Sequence, residues 1–367
     1  MSSSAPRLEI YLIGAHKGES IVIRTPGGSL GVVDAYAPTW DDPTTNPTLE
    51  KLNKLGAERL RFVALTHPHV DHFKGLPAIF DAYSGRIDSW WRPPLGGPDF
   101  TYFVAALHNE IKSEKEQSNR RRLVNLSKMI RALFDRAQFE FDTYKIELQL
   151  LQNNRDNGLC LSEEEHDFSI HCLGPSPNIF SPYERSVLDR TFLNLIKERK
   201  LTSRAPHNVI SSVIAVRYGK WIGILGGDTE KNSWNDVLSR KREWLSLARF
   251  IKIPHHGSET GSYDRLWDSI DSDHCEAAVT CFESQGIPDA RGLRHLRQPR
   301  FSLHSTTKAL AESLYHGIPK KPVPPGFRRK YEAGEILVSV SVDGEMEITH
   351  VSPAGQVDLQ SASYEDD

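Results

Sequence analysis

Residues 64–75 read A-L-T-H-P-H-V-D-H-F-K-G, which places His67, His69, Asp71 and His72 within six positions, directly after the apolar run 62–65. In an extended segment alternate residues project to the same side, so His67 and His69 share a face, while Asp71 and His72 belong to the following turn and helix start. Four imidazole and carboxylate groups so arranged can surround two adjacent cations. Such ligands suit Zn²⁺ first, with Mn²⁺ or Fe as alternatives. A lone surface histidine carries no such meaning, but four ligand-type residues at a strand-to-turn junction do.

Further ligand types follow other apolar runs. G-G-D-T at 226–229 comes after W-I-G-I-L; its glycines allow close backbone approach, which places Asp228 to bridge two metals. P-H-H-G-S at 254–258 comes after F-I-K-I and offers either His255 or His256.

Strand ends must carry these groups. Alternating and β-branched patterns predict strands at 8–13, 20–24, 30–34 and 61–65, and helical spacing predicts a helix over 48–55. Strand patterns resume at 168–173, 211–218, 221–225, 250–253 and 277–282, and 336–342 with 346–351 read as a hairpin around D-G-E. Strands alternating with helices predict an α/β or layered fold with sites at strand ends. Residues 100–150 differ: they lack Gly and Pro, and Leu123, Leu126, Ile130 and Leu133 recur at helical spacing among Arg120, Arg121, Arg122, Lys128, Arg131 and Arg136. This predicts amphipathic helices whose cations form a solvated face, with a phosphate-contacting face as the alternative.

The chain has 367 residues, 38% of them hydrophobic and 25% charged, with a formal net charge of -3. That length allows two domains or one large α/β domain with insertions, and the charge gives no global attraction to polyanions. No apolar stretch approaches about 18 residues and no signal-peptide core precedes Leu8, so a soluble, cytoplasmic protein is expected, with no membrane role. Cys160, Cys172, Cys275 and Cys281 show no C-x-x-C spacing and read as reduced thiols. Residues 356–367 read as a flexible acidic tail.

Taken together, these motifs resemble the metallo-β-lactamase-fold hydrolases, in which H-x-H-x-D-H is followed by later His, Asp and His ligands. They are most similar to the hydrolase domain of ComEC-type DNA-uptake competence proteins and their free-standing relatives. That group's G-x-G-D, apolar strand, P-x-G turn and apolar run ending in Asp resemble G-A-H-K-G-E-S-I-V-I-R-T-P-G-G-S-L-G-V-V-D at 14–34. Its T-G-D and H-H-G-S elements match Gly227-Asp228 and 255–258. The likeness does not extend over residues 85–165, nor to the membrane channel segments of the competence proteins.

The resemblance implies a four-layer αββα metallo-β-lactamase sandwich over residues 1–355, with a mainly helical insertion at 86–165. It implies two divalent metal ions, Zn favoured over Mn, with His67 and His69 on the first, Asp71 and His72 on the second, and Asp228 between them. His256 would be the last ligand, His255 being the alternative. His207 would complete the first metal, unless the competence-type Asn-x-x-Ser pattern, matched by Asn208 and Ser211, replaces it. Asp34 would hold a ligand histidine or else cap a turn. His304 would donate a proton to a leaving oxygen or contact phosphate, or else be a helix-start residue near solvent. The chemistry implied is hydrolysis by a metal-bound hydroxide, with Asp71 and His304 as the catalytic residues.

Local charge bears on the substrate. Arg291, Arg294, Arg297 and Arg300 precede His304, and Lys320, Lys321, Arg328, Arg329 and Lys330 follow it, in segments expected near the metal rim. Arginine suits bidentate phosphate recognition, although two solvated loops would look the same. The expectation is a phosphodiesterase or nuclease acting on nucleic acid or nucleotides. The alternatives are a hydrolase of a carboxylic ester, thioester or lactam with an apolar pocket at Trp90 and Trp91, and a non-catalytic, metal-stabilised module that binds nucleic acid or protein.

Overall fold

The computed structural model describes residues 5–14, 17–94, 117–153, 158–188, 206–262, 264–271, 273–282, 287–288, 292, 302–307, 334–351 and 354–357, with backbone only at 118–120, 122–123, 183–188, 206–207 and 355–357. In β1 (Arg7–Gly14), Leu8, Ile10 and Leu12 face one way and Tyr11 and Ile13 the other, and both sets are buried. A strand covered on two faces belongs in the middle of a sheet that lies between other layers. The neighbouring strands are β2 (Glu19–Arg24), β3 (Leu30–Val33), β4 (Phe62–Ala64), β5 (Ser89–Arg92), β6 (Glu147–Leu150), β14 (Gly334–Ser341) and β15 (Met346–Val351). Their order across the sheet is β15-β14-β1-β2-β3-β4-β5-β6.

The second sheet is built from β7 (Leu159–Glu163), β8 (Phe168–Gly174), β9 (Val213–Tyr218), β10 (Trp221–Leu225), β11 (Phe250–Lys252), β12 (Glu276–Val279), β13 (Ser302–Ser305) and β16 (Gly355–Val357). Its order is β16-β13-β12-β11-β10-β9-β8-β7, with β10, β11, β12 and β13 mutually parallel.

Three apolar cores fix the layering. Leu8, Ile10, Phe62 and Trp91 of the first sheet meet Phe168, Ile214, Trp221 and Phe250 of the second. On the outer face of the first sheet, Val63 and Leu65 pack with Leu52, Phe80, Ile130 and Leu133 from α1 (Pro47–Lys54), α3 (Leu76–Ala82) and α4 (Gln117–Tyr144). On the outer face of the second, Ile224 and Ile251 pack with Trp234, Val237 and Leu266 from α6 (Lys231–Ser246) and α7 (Asp264–Trp267). The order is helices, sheet, sheet, helices, which is the expected αββα sandwich. Two further helices are α2 (Val70–Phe73), which carries ligand-type residues, and α5 (Pro177–Leu188).

Helix α4 is the expected amphipathic element. Met129, Ile130, Leu133 and Ala137 are buried, while Arg121, Lys128 and Arg131 are exposed and Arg136 pairs with Asp81 at 2.6 Å. Those cations form a solvated face. Residues 86–165 also supply β5, β6 and β7, three strands the sequence pattern does not predict. Trp90 and Trp91 lie on β5 within the cores: Trp91 stacks on Phe62 with centroids 4.0 Å apart, and Trp90 meets Phe80 edge-on at 5.2 Å. The four cysteines form no disulfide, and among the described residues no helix is long and apolar enough to cross a membrane.

The stacked Trp91–Phe62 pair predicts a large truncation cost. Trp91→Ala is expected to lower stability in urea unfolding by about 3–5 kcal/mol, whereas Phe139→Ala, at a position 54% exposed, should shift it by less than about 0.5 kcal/mol. Equal effects would contradict this placement.

Candidate metal centre

The ligand-type residues sit on loops that leave the ends of β3, β4, β10 and β11, so the two sheets contribute from opposite sides. Asp34 follows β3, and His67, His69, Asp71 and His72 follow β4 through the short α2. Asp228 follows β10, and His255 and His256 follow β11. The local backbone is unusual: Asp34, His255 and His256 hold positive φ of 54°, 49° and 51°. Gly227 has φ 52°, and a Cβ there would lie 2.5 Å from Ser211 Oγ, so this turn requires glycine.

Ligand atoms of Asp71, His72, Asp228 and His256 all lie within 4.8 Å of one another, as do those of His67, His69 and Asp228. His72 Nε2 is 3.3 Å from Asp228 Oδ1 and 3.8 Å from Asp71 Oδ2. His256 Nε2 is 3.4 Å from Asp71 Oδ2 and 3.7 Å from Asp228 Oδ1. The other carboxylate oxygen of Asp228, Oδ2, lies 3.7 Å from His67 Nε2, which is 3.0 Å from His69 Nδ1. Asp228 thus stands between the two groups, one oxygen toward each.

The decisive feature is what these atoms lack. His72 Nε2, His256 Nε2 and Asp228 Oδ1 are buried with no hydrogen-bond partner. Leaving three such atoms unsatisfied is costly unless something else occupies their common focus. Tetrahedral ligands at ordinary zinc bond lengths stand roughly 3.3–3.5 Å apart, and the observed separations bracket that value. The residues fit a divalent cation.

The opposite ring nitrogens are held. His72 Nδ1 donates to Asp34 Oδ2 at 2.7 Å, and Asp34 also accepts from Thr66 N and Thr66 Oγ1 at 2.7 and 2.6 Å. His256 Nδ1 donates to the Thr280 carbonyl at 2.8 Å. His67 Nδ1 faces Thr66 Oγ1 and Ser211 Oγ at 3.1 and 3.3 Å. Fixing Nδ1 in this way selects the tautomer that presents the Nε2 lone pair. Asp34 therefore holds the His72 ring.

Of the two adjacent histidines, His256 turns into the cluster. His255, its side chain 20% exposed, bonds Thr260 through Nδ1 at 2.9 Å and has Nε2 3.9 Å from Asp228 Oδ2. His207 lies in the short helix Pro206–Ile210, and its side chain is outside the described atoms. The Asn-x-x-Ser pair supports the site: Ser211 Oγ accepts from Asp228 N at 2.8 Å, and Asn208 Nδ2 donates to Glu230 at 3.1 Å. His304 is not brought to the cluster. It lies on β13, its Nε2 2.9 Å from Glu276 and its Nδ1 2.9 Å from His350 of the other sheet. Arg291, Arg294, Arg297, Arg300 and the later basic run lie outside the described residues. The sequence reading missed Glu19, Lys252 and Thr280, which are buried behind the histidines. Lys252 left a signal, a lone charge inside the apolar run F-I-K-I just before the histidine pair.

Burial disfavours charge on His72, yet Asp228 and Asp34 outweigh it and hold the imidazole pKa well above its ordinary value. Burial likewise opposes charge on His256, and Asp228, the nearby Asp71 carboxylate and Glu19 raise it. Burial would lift Asp228, but His72, His256 and His255 hold it well below the usual carboxylate range. The carboxylates around them thus favour the protonated form of both rings more than water does.

The sequence matches no protein-family model and no curated protein. Among solved structures, the metallo-β-lactamase fold protein YhfI from Bacillus subtilis is 12% identical with a TM-score of 0.41, covering 82% of this chain and 96% of that one. A diphosphatase from the PhnP family is 11% identical with a TM-score of 0.36, covering 74% and 86%. A long form RNase Z from yeast is 8% identical with a TM-score of 0.37, covering 75% and 36%. Likenesses this weak carry no weight for activity; the fold rests on the layers described above and the site on its own geometry.

Because protonation of the His72 and His256 rings would compete with a cation for the same nitrogens, binding is expected to release protons and to tighten as pH rises, until the raised imidazole pKa values are passed. Calorimetric titration in two buffers of different ionisation enthalpy measures this. Affinity that stays flat from about pH 6 to 8 would contradict the proton competition.

Proposed function

We propose that the chain is a metal-dependent hydrolase, a phosphodiesterase or nuclease acting on nucleic acid or nucleotides. His67 and His69 would hold one divalent cation, Asp71, His72 and His256 a second, and Asp228 would join them, with zinc favoured over manganese. The observation that carries this is the convergence of His72 Nε2, His256 Nε2 and Asp228 Oδ1, buried and without hydrogen-bond partners, on one point. Bound cations there supply Lewis acidity and bring the pKa of water toward neutrality. The protein's own part is positional: Asp34 and Thr280 lock the rings of His72 and His256, and Ser211 orients the turn at Asp228. His207 is the candidate for completing the first cation's ligands. His304 has no place in this scheme, since both of its ring nitrogens are engaged elsewhere.

Support for a phosphate-bearing substrate comes from Arg291, Arg294, Arg297 and Arg300, whose guanidinium groups suit bidentate phosphate contact. The competence-type likeness of the G-E-S-I-V-I and H-H-G-S segments agrees with it. Burial of Trp90 and Trp91 in the core removes the feature that favoured an ester, thioester or lactam pocket. We further take the chain as one cytoplasmic domain with the insertion at 86–165; the expected boundary at 355 moves past β16, whose Gln356 and Val357 pair with β13, and the acidic tail follows.

The test is a panel of single-stranded DNA, duplex DNA, RNA, cyclic nucleotides and an activated ester, run with Mn²⁺ and Zn²⁺. The expected outcome is metal-dependent cleavage of a phosphodiester, lowered more than about 100-fold by Asp71→Ala or Asp228→Ala, beyond what loss of an outer partner usually costs. Metal-loaded, folded protein that leaves every phosphodiester intact would rule out this substrate class.

A further inference from the structure

Behind the candidate ligands lies a buried ion pair that the scheme above does not use. Glu19 on β2 and Lys252 on β11 are 1% and 0% exposed, and Lys252 Nζ bonds Glu19 Oε2 across the gap between the two sheets. Burying two charges is expensive, and replacing such a pair with neutral groups of similar shape is often harmless to stability. A need for strength alone therefore does not explain the pair. Its contacts suggest another role.

From this pair, three short paths reach candidate ligands. Glu19 Oε2 accepts from Thr280 Oγ1 at 2.6 Å, and Thr280 in turn takes the Nδ1 proton of His256 on its carbonyl at 2.8 Å. Lys252 Nζ donates to the Gly227 carbonyl at 3.2 Å, the peptide oxygen that immediately precedes Asp228 and also accepts from His255 N at 2.9 Å. Glu19 Oε1 makes no hydrogen bond and lies 3.7 Å from His72 Nδ1. By drawing the other Glu19 oxygen to itself, Lys252 leaves Asp34 as the hydrogen-bonded acceptor of that ring. Histidine, aspartate and histidine from two sheets are thus referred to one fixed charge pair.

We infer that Glu19 and Lys252 are positioning residues for the metal centre: a strut that sets where His72, Asp228 and His256 stand relative to one another. This rests on the metal-binding reading above. A clamp that merely joined the sheets could sit anywhere along their interface. This one touches the turn before Asp228 and the residue that holds His256.

The experiment uses the full-length protein and Co²⁺ as the probe, read by visible absorption and by competition with a chelator. Lys252→Met alone strands a buried carboxylate and is expected to fold poorly, so the informative variant is Glu19→Gln/Lys252→Met, which removes both charges and keeps the shape. It should unfold within a few degrees of wild type in the presence of EDTA, yet bind Co²⁺ about 10–100-fold more weakly, with altered ligand-field bands. Should the double variant not fold, Glu19→Gln is read in the same way. A folded variant with wild-type Co²⁺ affinity and spectrum would overturn the inference and leave the metal centre standing. A wild-type chain that takes up no Co²⁺ would sink the metal centre itself, and the inference with it.

Discussion

Buried charge must be compensated, and this constraint organises the molecule. Glu19, Asp34 and Asp228 are 1%, 0% and 1% exposed, gathered where loops from two sheets meet. An isolated carboxylate in such surroundings is untenable. Each here has an answer of a different kind: Lys252 for Glu19, the His72 ring and Thr66 for Asp34, and the imidazoles around it for Asp228. The answer for Asp34 is complete within the chain, and Lys252 neutralises Glu19 although Glu19 Oε1 makes no hydrogen bond. The third leaves Asp228 Oδ1 facing imidazole nitrogens that make no hydrogen bond of their own, which is the signature of ligands arranged around a cation.

Conformation is sacrificed to reach that arrangement. Asp34, His255 and His256 are held at positive φ, a region that side chains other than glycine rarely occupy. Such residues cost roughly 1–3 kcal/mol each and persist only where their surroundings over-determine them. Here the surroundings do. Asp34 has its backbone N–H on the Ala64 carbonyl and its carboxylate on Thr66 and His72, while His256 is fixed through Thr280. The three apolar cores provide the rigid frame, and the strain sits at its rim where the side chains must converge.

Legibility in the sequence followed locality. His67, His69, Asp71 and His72 are contiguous at one strand end, and Asp228 and His256 each end an apolar run, so their types and order were visible before any fold. The preference for His256 over His255 came from the family resemblance alone, because two consecutive left-handed residues set which ring turns inward. The partnership of Glu19 with Lys252 was invisible for a different reason: it depends on two sheets packing face to face. The same applies to His304, whose place on a strand is unremarkable in sequence and whose partners, Glu276 and His350, come from a neighbouring strand and the opposite sheet. Strand β5 escaped notice because both its faces are buried, which erases alternation, and because Trp90 and Trp91 look as much like pocket walls as core. The edge strands β6 and β7 expose Leu148, Leu150 and Leu159, an inverted pattern that hid them as well.

A cation is expected where the orphaned atoms of His72, His256 and Asp228 converge. Crystals grown with Zn²⁺ and measured on both sides of the zinc absorption edge test it most directly. An anomalous peak is expected at roughly 2.0–2.2 Å from His72 Nε2, His256 Nε2 and the Asp71 and Asp228 carboxylates. An intact fold with saturating zinc and no peak among those four residues would contradict it.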